Sequence, residues 1–118
     1  MAGHIDTGME GELIACEWLI ANGYEILHRN WRFGHLEVDI IARKGSFLHF
    51  VEVKTRYQQQ YGNPEDQVTR AKFKKLQKAG HEYISRNPGH PWFQYDIIAV
   101  TLRPPDAPEI FLLSDVFL

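Results

Sequence analysis

Two apolar runs joined by a short turn constrain this chain more than any other feature. Residues 36–43 and 47–54 are strand-like, and Lys44-Gly45-Ser46 between them predicts a hairpin. Both faces of each run are mostly apolar, which is typical of strands covered on both sides. The antiparallel pair makes an all-parallel, doubly wound sheet a poor candidate.

Side chains of a strand alternate between its two faces, so the residues of each run can be assigned to faces. In the first run one face is predicted to carry Glu37, Asp39 and Ile41, and the other Leu36, Val38, Ile40 and Ala42. In the second run one face is predicted to carry Leu48, Phe50, Glu52, Lys54 and Arg56, and the other Phe47, His49, Val51 and Val53. The charged residues therefore gather toward one end of the strands.

Helical patterns lie on both sides of the hairpin. Thr7 with Glu10 forms a capping-box pattern and Asn22-Gly23 suits a helix end, so residues 8–22 are predicted to be a helix. Residues 63–66 (NPED) resemble a second helix start, and that helix is predicted to run to Arg86. Its predicted buried stripe is Phe73, Leu76, Gly80 and Tyr83.

The remaining segments complete the expected order of elements. Residues 24–33 have a composition that favours a strand, and residues 57–62 are predicted to form a mobile loop. Residues 93–102 are predicted to form a strand, residues 103–108 a proline-rich turn, and residues 110–113 a short edge strand. The order of helix, strands, helix and strand predicts an α/β sandwich with a mixed sheet and helices on its faces. A chain of 118 residues has room for one domain, residues 1–118.

Composition narrows the setting. Hydrophobic residues make up 44% of the chain and charged residues 24%, a composition typical of soluble globular proteins. No stretch approaches the roughly 20 apolar residues of a membrane helix, and the first residues lack a signal-peptide layout, so we expect a cytoplasmic protein with no membrane partner. The single cysteine, Cys16, is expected in the core.

Asp39 and the triplet Glu52-Val53-Lys54 form the candidate site. They place two carboxylates and an amine on neighbouring strands, with Glu52 and Lys54 side by side. Carboxylate oxygens suit Mg²⁺ or Mn²⁺, which complete their coordination with water and phosphate oxygens. A lysine beside such a ligand can orient water or stabilise a transition state. Glu12 lies on the helical stripe of Ala15, Cys16 and Leu19, where a carboxylate needs a partner.

The wider sequence resembles a known family. Asp39 with Glu52-Val53-Lys54 is similar to the D…(D/E)-x-K motif of restriction-endonuclease-like nucleases. Blocks around it resemble the YraN family of bacterial proteins from Gly8 to about Val100: residues 11–15 (GELIA), 23–24 (GY), 30–32 (NWR), 37–42 (EVDIIA) and 50–56 (FVEVKTR). That family is grouped with archaeal Holliday junction resolvases, which also use a glutamate of the first helix.

The resemblance implies a restriction-endonuclease-like α/β/α sandwich with a central mixed sheet, one helix before the core strands and one crossover helix. It implies that Glu12, Asp39 and Glu52 are metal ligands or their supports, with the Val53 carbonyl as a further ligand and Lys54 as the catalytic amine. Two positions depart from the family pattern. Val38 stands where the family often has a proline before the aspartate. The segment before Glu37 contains His35-Leu36, where the family often has a shorter segment. Glu37 is left open as a ligand, a support or a solvated neighbour.

Five cations and no acid lie between residues 70 and 78, although the net charge is −2. The row Arg70, Lys74 and Lys78 is therefore expected to contact nucleic acid, with DNA favoured, and Thr55 and Arg56 are candidates to grip phosphate. A solvated helix face is the alternative for the row, and a surface ion pair is the alternative for Arg56.

The resemblance favours a metal-dependent nuclease acting on branched or single-stranded DNA in repair or recombination. The alternative is a module on the same fold that binds nucleic acid or a repair partner and cuts weakly or not at all. A homodimer is left open.

Overall fold

The computed structural model describes residues 7–58 and 68–117. These residues form two helices and five strands, in the order α1 (Thr7–Ala21), β1 (Glu25–Phe33), β2 (Leu36–Lys44), β3 (Phe47–Tyr57), α2 (Arg70–Arg86), β4 (Trp92–Arg103) and β5 (Asp106–Leu113). The strands make one sheet in sequence order, β1-β2-β3-β4-β5. Only the β3–β4 pair is parallel, and α2 lies in the crossover between them. Neither helix in the described part of the chain could span a membrane.

Local sequence signals explain the ends of several elements. At the end of α1 the amide of Tyr24 bonds the carbonyl of Leu19 and the amide of Gly23 bonds that of Ile20, which together make a Schellman motif. Gly23 has φ +89°, a conformation that glycine adopts at little cost. The β2–β3 hairpin closes between Lys44 and Phe47, as the sequence predicted.

Each face of the sheet carries its own apolar core. On one face α1 packs against the sheet through residues that include Ala15, Leu19, Ile40, Val51 and Ile98. On the other face α2 packs through residues that include Phe73, Leu76, Tyr83, Ile41 and Phe50. The expected α/β/α sandwich with a central mixed sheet is therefore confirmed. Cys16 is buried in the α1 core, as predicted.

Several predicted boundaries were wrong. The second helix was expected to start near residues 63–66, which lie outside the described residues, but α2 begins at Arg70. Thr69 is its N-cap, with extended backbone, and its side chain accepts a bond from the Lys72 amide. β3 continues to Tyr57, the first residue of the predicted loop, and residues 59–62 of that loop lie outside the described residues. β5 begins at Asp106 and shortens the predicted turn, and Pro108 is tolerated because β5 is an edge strand.

The predicted alternation of β2 was also wrong. Val38 was expected to share a face with Ile40 and Ala42. Instead Val38 packs in the α2 core with Ile41, whereas Ile40 and Ala42 pack in the α1 core. The regular period of two therefore breaks between Val38 and Ile40, at Asp39. The faces of β3 follow the prediction, with Leu48 and Phe50 toward α2 and Val51 and Val53 toward α1.

Candidate active site

The candidate site lies where β2 and β3 stop pairing. Their paired positions run from Lys44 with Phe47 to Ile40 with Val51 and go no further. Beyond that point a side chain joins the strands, because Oδ2 of Asp39 accepts a hydrogen bond of 2.8 Å from the backbone N–H of Val53. This bond fixes the orientation of the carboxylate. It also accounts for the broken alternation of β2, since a side chain here takes the place of strand pairing.

The neighbouring strand β1 is distorted at the same level. Arg29 pairs with Ile40 and Trp31 with Val38, which places Asn30 opposite Asp39. Asn30 has φ +52°, in the left-handed region that asparagine tolerates better than most residues. Its side chain forms a hydrogen bond with Glu12 of α1. The distortion therefore connects the first helix to the aspartate strand.

Gly11 sets the distance between α1 and the sheet. A Cβ placed on Gly11 would lie 1.7 Å from Oγ1 of Thr55 on β3, far inside any allowed contact. Only glycine permits this approach, and the next residue, Glu12, is half-buried beside the strands. The close contact thus positions Glu12, and it assigns Thr55 a packing role.

Asp39 and Glu52 line one open pocket of about 210 Å³, together with residues of the β1–β2 turn and of α2. Lys54 lies beside Glu52, with 3.5 Å between Nζ and Oε2, and both side chains are about one-fifth exposed, at 19% and 22%. The pocket is open to solvent and has room for several water molecules or a phosphate group.

The carboxylates of the site disfavour one another's charge. Burial, then the charge of Glu52, raises the pKa of Asp39 from 3.8 to about 7, against the lowering effect of the Val53 hydrogen bond. Burial also raises the pKa of Glu52, and the cations of Lys54 and Lys72 oppose that rise. Glu12 behaves in the same way, because burial and the charge of Asp39 raise its pKa. Burial is the largest cause in all three cases, so the fold holds these carboxylates where their charged forms are costly.

Glu37, which the sequence left open, is held at the rim of the pocket. Its Oε2 lies 2.7 Å from Nε of Arg32, its partner residue on β1. Glu37 also lines the pocket, and its charge raises the pKa of both Asp39 and Glu52. It is therefore a neighbour of the cluster that an exposed arginine orients.

The cations that face the pocket differ from the predicted row. Arg70, Lys74 and Lys78 are exposed on α2, and none of them lines the pocket. Lys72 and Lys75 of the same helix do line it. Sequence reasoning counted these two only as part of a charged segment. Their signal was their position: Lys72 precedes the buried Leu76 by four residues, so it lies on the flank next to the core.

Asp96 of β4 does not line the pocket, and its carboxylate is engaged elsewhere. It is 1% exposed, and its Oδ2 lies 2.6 Å from Nδ1 of His49. Its Oδ1 accepts hydrogen bonds from the side chain of Gln94 and from the backbone N–H of Asp115, both at 2.9 Å. Asp96 thus joins β3, β4 and the segment after β5.

The donor chemistry of the pocket fits a hard divalent cation. Within residues 7–58 and 68–117, no three histidine, cysteine, aspartate or glutamate side chains converge as a preassembled set of ligands. Mg²⁺ and Mn²⁺ do not require such a set, since one or two carboxylates suffice when water and phosphate oxygens complete the shell. Asp39 and Glu52 supply two partly buried carboxylates whose charged forms burial disfavours, and a bound cation would stabilise those charges. Glu12 does not line this pocket, and the charge of Asp39 is what connects it to the pair.

Together these features describe an α/β/α protein whose acidic pocket opens between two separating strands. Comparison with known sequences supplies the family. The sequence profile of the uncharacterised protein family UPF0102 matches residues 11–100, and the chain belongs to this family, which is the YraN family that the motifs indicated. The matched region includes Glu12, Asp39, Glu52 and Lys54.

Individual relatives agree over most of their length. A UPF0102 protein of Flavobacterium psychrophilum is 46% identical over 100 residues, which cover 85% of this chain and 84% of the relative. One from Chloroherpeton thalassium is 36% identical over 99% of this chain and 97% of its own. A UPF0102 protein of Rhodococcus jostii is 37% identical over 99% of this chain and 100% of the relative.

Proposed function

We propose that this protein is a metal-dependent nuclease that hydrolyses phosphodiester bonds of nucleic acid, with branched or single-stranded DNA in repair or recombination as the favoured substrate. One observation carries the proposal. Asp39 and Glu52 come from two strands that separate at this point, and they line one pocket with Lys54 paired to Glu52. The charge of Glu52 raises the pKa of Asp39, a cost that a structural ion pair does not need and that a bound cation would offset.

In this proposal Asp39 and Glu52 hold Mg²⁺ or Mn²⁺. When bound, such an ion polarises a phosphodiester and makes water a stronger nucleophile. Asp39 can keep one orientation because the Val53 amide holds its Oδ2 and leaves Oδ1 for the ion. The carbonyl of Val53 remains a candidate ligand, and Glu12 remains a candidate ligand or support.

Lys54 provides the positive charge nearest to Glu52. Its ammonium group orients the attacking water or offsets negative charge that develops on the phosphate. The distance of 3.5 Å from Glu52 is longer than a strong charged hydrogen bond, so the ammonium group retains donor capacity. Arg56 follows on the same strand and remains a candidate for phosphate contact, whereas Thr55, the other candidate from the sequence, packs against Gly11 of α1.

The raised pKa of Asp39 gives the proposal a signature that does not depend on cleavage. A ligand carboxylate must lose its proton before it can bind a metal, so binding should release protons and strengthen as pH rises toward and past 7. Calorimetric titration of Mn²⁺ at pH 6 and pH 8, in two buffers of different ionisation enthalpy, measures both effects. Asp39→Ala should abolish the binding, and equal affinity in wild type and variant would refute the metal site.

Cleavage itself is tested on a panel of labelled branched, single-stranded and duplex DNA and RNA, with Mg²⁺, Mn²⁺ or EDTA. We expect activity only with metal, and losses of at least about 100-fold in Asp39→Asn, Glu52→Gln and Lys54→Met. Glu17→Gln is the matched control, because Glu17 is an exposed carboxylate of α1 outside the site. Activity that survives Asp39→Asn would come from another source.

A second candidate is a binding module that cuts weakly or not at all. The observation that favours it is the lack of three converging ligand side chains in the described chain. It predicts that wild type binds members of the panel in a salt-dependent way and cleaves none of them with either metal.

A further inference from the structure

We infer that Lys72 and Lys75 of α2 form a binding site for a nucleic-acid phosphate, on the wall of the pocket that faces Asp39 and Glu52. The inference rests on the proposed function, since it assigns the substrate phosphate to this wall. It differs from the sequence-based expectation, which gave phosphate contact on this helix to the row Arg70, Lys74 and Lys78.

The packing of α2 fixes which cations reach the pocket. Phe73, Leu76 and Tyr83 are buried against the sheet, at 1%, 3% and 4% exposure, and they determine the rotation of the helix. A helix turns 100° per residue, so Lys72 and Lys75 share a flank next to this buried stripe. Both line the pocket together with Leu76 itself.

Gly80 makes this packing close. A Cβ at Gly80 would lie 2.8 Å from the hydroxyl oxygen of Tyr95 and 3.2 Å from Cδ2 of Phe50. A side chain at this position would push α2 away from the sheet, so glycine allows the helix to lie this close. The positions of the two lysines relative to the carboxylates follow from this packing.

The charges on the two walls suit a phosphate and its metal ion together. Lys72 and Glu52 line the same pocket, so the two charges lie within electrostatic reach of each other. The carboxylate wall attracts a cation and repels a bare phosphate. A phosphate that approaches this wall needs positive charge on its other side, and Lys72 and Lys75 provide it.

A structural explanation competes with this one, because the lysines could serve only to offset the acids. Two features favour a ligand. Lys72 and Lys75 are both exposed and lie at the open side of the pocket, where water already screens charge. The pocket volume of about 210 Å³ also leaves room for a phosphate between the walls.

The test measures binding of a dinucleotide that has a 5′-phosphate and one internal phosphodiester, a probe too short to follow the outer face of α2. Amide chemical shifts of the full-length protein are followed during titration, in EDTA and in Mg²⁺, and the probe is recovered to verify that it is intact. Wild type should show shifts at Lys72, Lys75 and Glu52. The double variant Lys72→Met/Lys75→Met should lose about tenfold or more in affinity, as expected for charge-assisted bonds.

Two further variants separate phosphate contact from general charge and from folding. Arg43→Met/Lys44→Met removes the same charge at the far end of β2 and should change affinity less than about twofold. Lys72→Arg/Lys75→Arg should restore affinity, because arginine also binds phosphate. Unfolding midpoints of all variants are measured in parallel. A purely structural role would lower the midpoint of Lys72→Met/Lys75→Met and leave its affinity unchanged.

The outcomes distinguish this inference from the proposed function. Lysine-dependent binding without cleavage of any substrate supports the phosphate site and refutes the nuclease. Cleavage by wild type with unchanged binding and rate in Lys72→Met/Lys75→Met supports the nuclease and overturns the phosphate site. Failure of wild type to bind the probe, or an equal loss in Lys74→Met/Lys78→Met, also overturns it.

Discussion

Replacing Asp39 by asparagine should stabilise the metal-free protein at alkaline pH. The pKa of Asp39 is raised from 3.8 to about 7, so the folded chain favours the neutral form of this side chain. Asparagine is neutral at every pH and nearly the same size, and its Oδ1 can still accept the hydrogen bond from the Val53 amide. The substitution therefore isolates the cost of the charge.

The sign follows from linkage. Between pH 3.8 and about 7 the folded state binds more protons at Asp39 than the unfolded state does, so the free energy of unfolding falls as pH rises. The stability that neutral Asp39 provides is fully present below pH 3.8 and is lost above pH 7. The Asp39→Asn variant keeps this stability at every pH. Its free energy of unfolding relative to wild type should therefore increase between pH 3.8 and about 7 and then stay constant.

The magnitude follows from the same shift. A change of about 3 pKa units at roughly 1.4 kcal/mol per unit sets an upper value of about 4 kcal/mol. Glu52 supplies part of the rise and remains in the variant, where its own charge is less opposed. The charged form of Asp39 also gains more from the Val53 amide than asparagine does. We therefore expect the difference between variant and wild type to grow by about 2–4 kcal/mol from pH 4 to pH 8.5.

Urea unfolding in EDTA at half-unit steps of pH measures this difference. Glu17→Gln on the exposed side of α1 is the control, and its profile should run parallel to that of wild type. Saturating Mn²⁺ should stabilise wild type and not the variant, which narrows the gap at pH 8.5. Parallel profiles of Asp39→Asn and wild type in EDTA would refute the reasoning, because they would mean that the charge of Asp39 costs nothing in the fold.

Three other substitutions test separate parts of the structure. Gly11→Ala should push α1 away from Thr55, lower the free energy of unfolding by about 1–3 kcal/mol and weaken Mn²⁺ binding. Adding Thr55→Gly to this variant should recover part of the stability and part of the Mn²⁺ affinity. Urea unfolding measures the first and calorimetry measures the second. Lys54→Met should slow single-turnover cleavage and leave Mn²⁺ affinity and the unfolding midpoint largely unchanged. If Lys54 only forms a structural pair with Glu52, the variant should instead lose about 1 kcal/mol or less of unfolding free energy and keep its cleavage rate. Asp96→Ala should cost about 3 kcal/mol or more in urea unfolding and leave Mn²⁺ binding intact, because it leaves buried donors unpaired.

Much of the fold could be predicted because local rules determine it. The hairpin, the glycine end of α1 and the two apolar faces of β3 each depend on a few neighbouring residues, and all three were confirmed. The start of α2 was wrong because the prediction rested on the NPED pattern of residues 63–66. Thr69 caps the helix in the described chain.

The site was predictable in part for the same reason. Period-two spacing placed Glu52 beside Lys54, and the hairpin brought Asp39 to the neighbouring strand. The break of alternation at Asp39 was not predictable, since it arises when a side chain takes the place of strand pairing. The lysines of the pocket wall were missed because charge spacing along a helix does not show which flank faces an open end of the sheet. That depends on tertiary packing at Phe73 and Gly80.

Two aspartates on this sheet differ in the partners of their carboxylates. Asp96 has a histidine, an amide side chain and a backbone N–H on its two oxygens, so its polar atoms are satisfied within the protein. Asp39 has one backbone partner and faces the charges of Glu52 and Glu37. A fold with about 5–15 kcal/mol of total stability gains nothing from such repulsion, which is typical of a site that a ligand completes. Asp96 is also the more buried of the two, at 1% exposure, whereas Asp39 is partly exposed at the pocket. Partners and exposure together support the proposal that Asp39 binds a ligand and that Asp96 belongs to the framework.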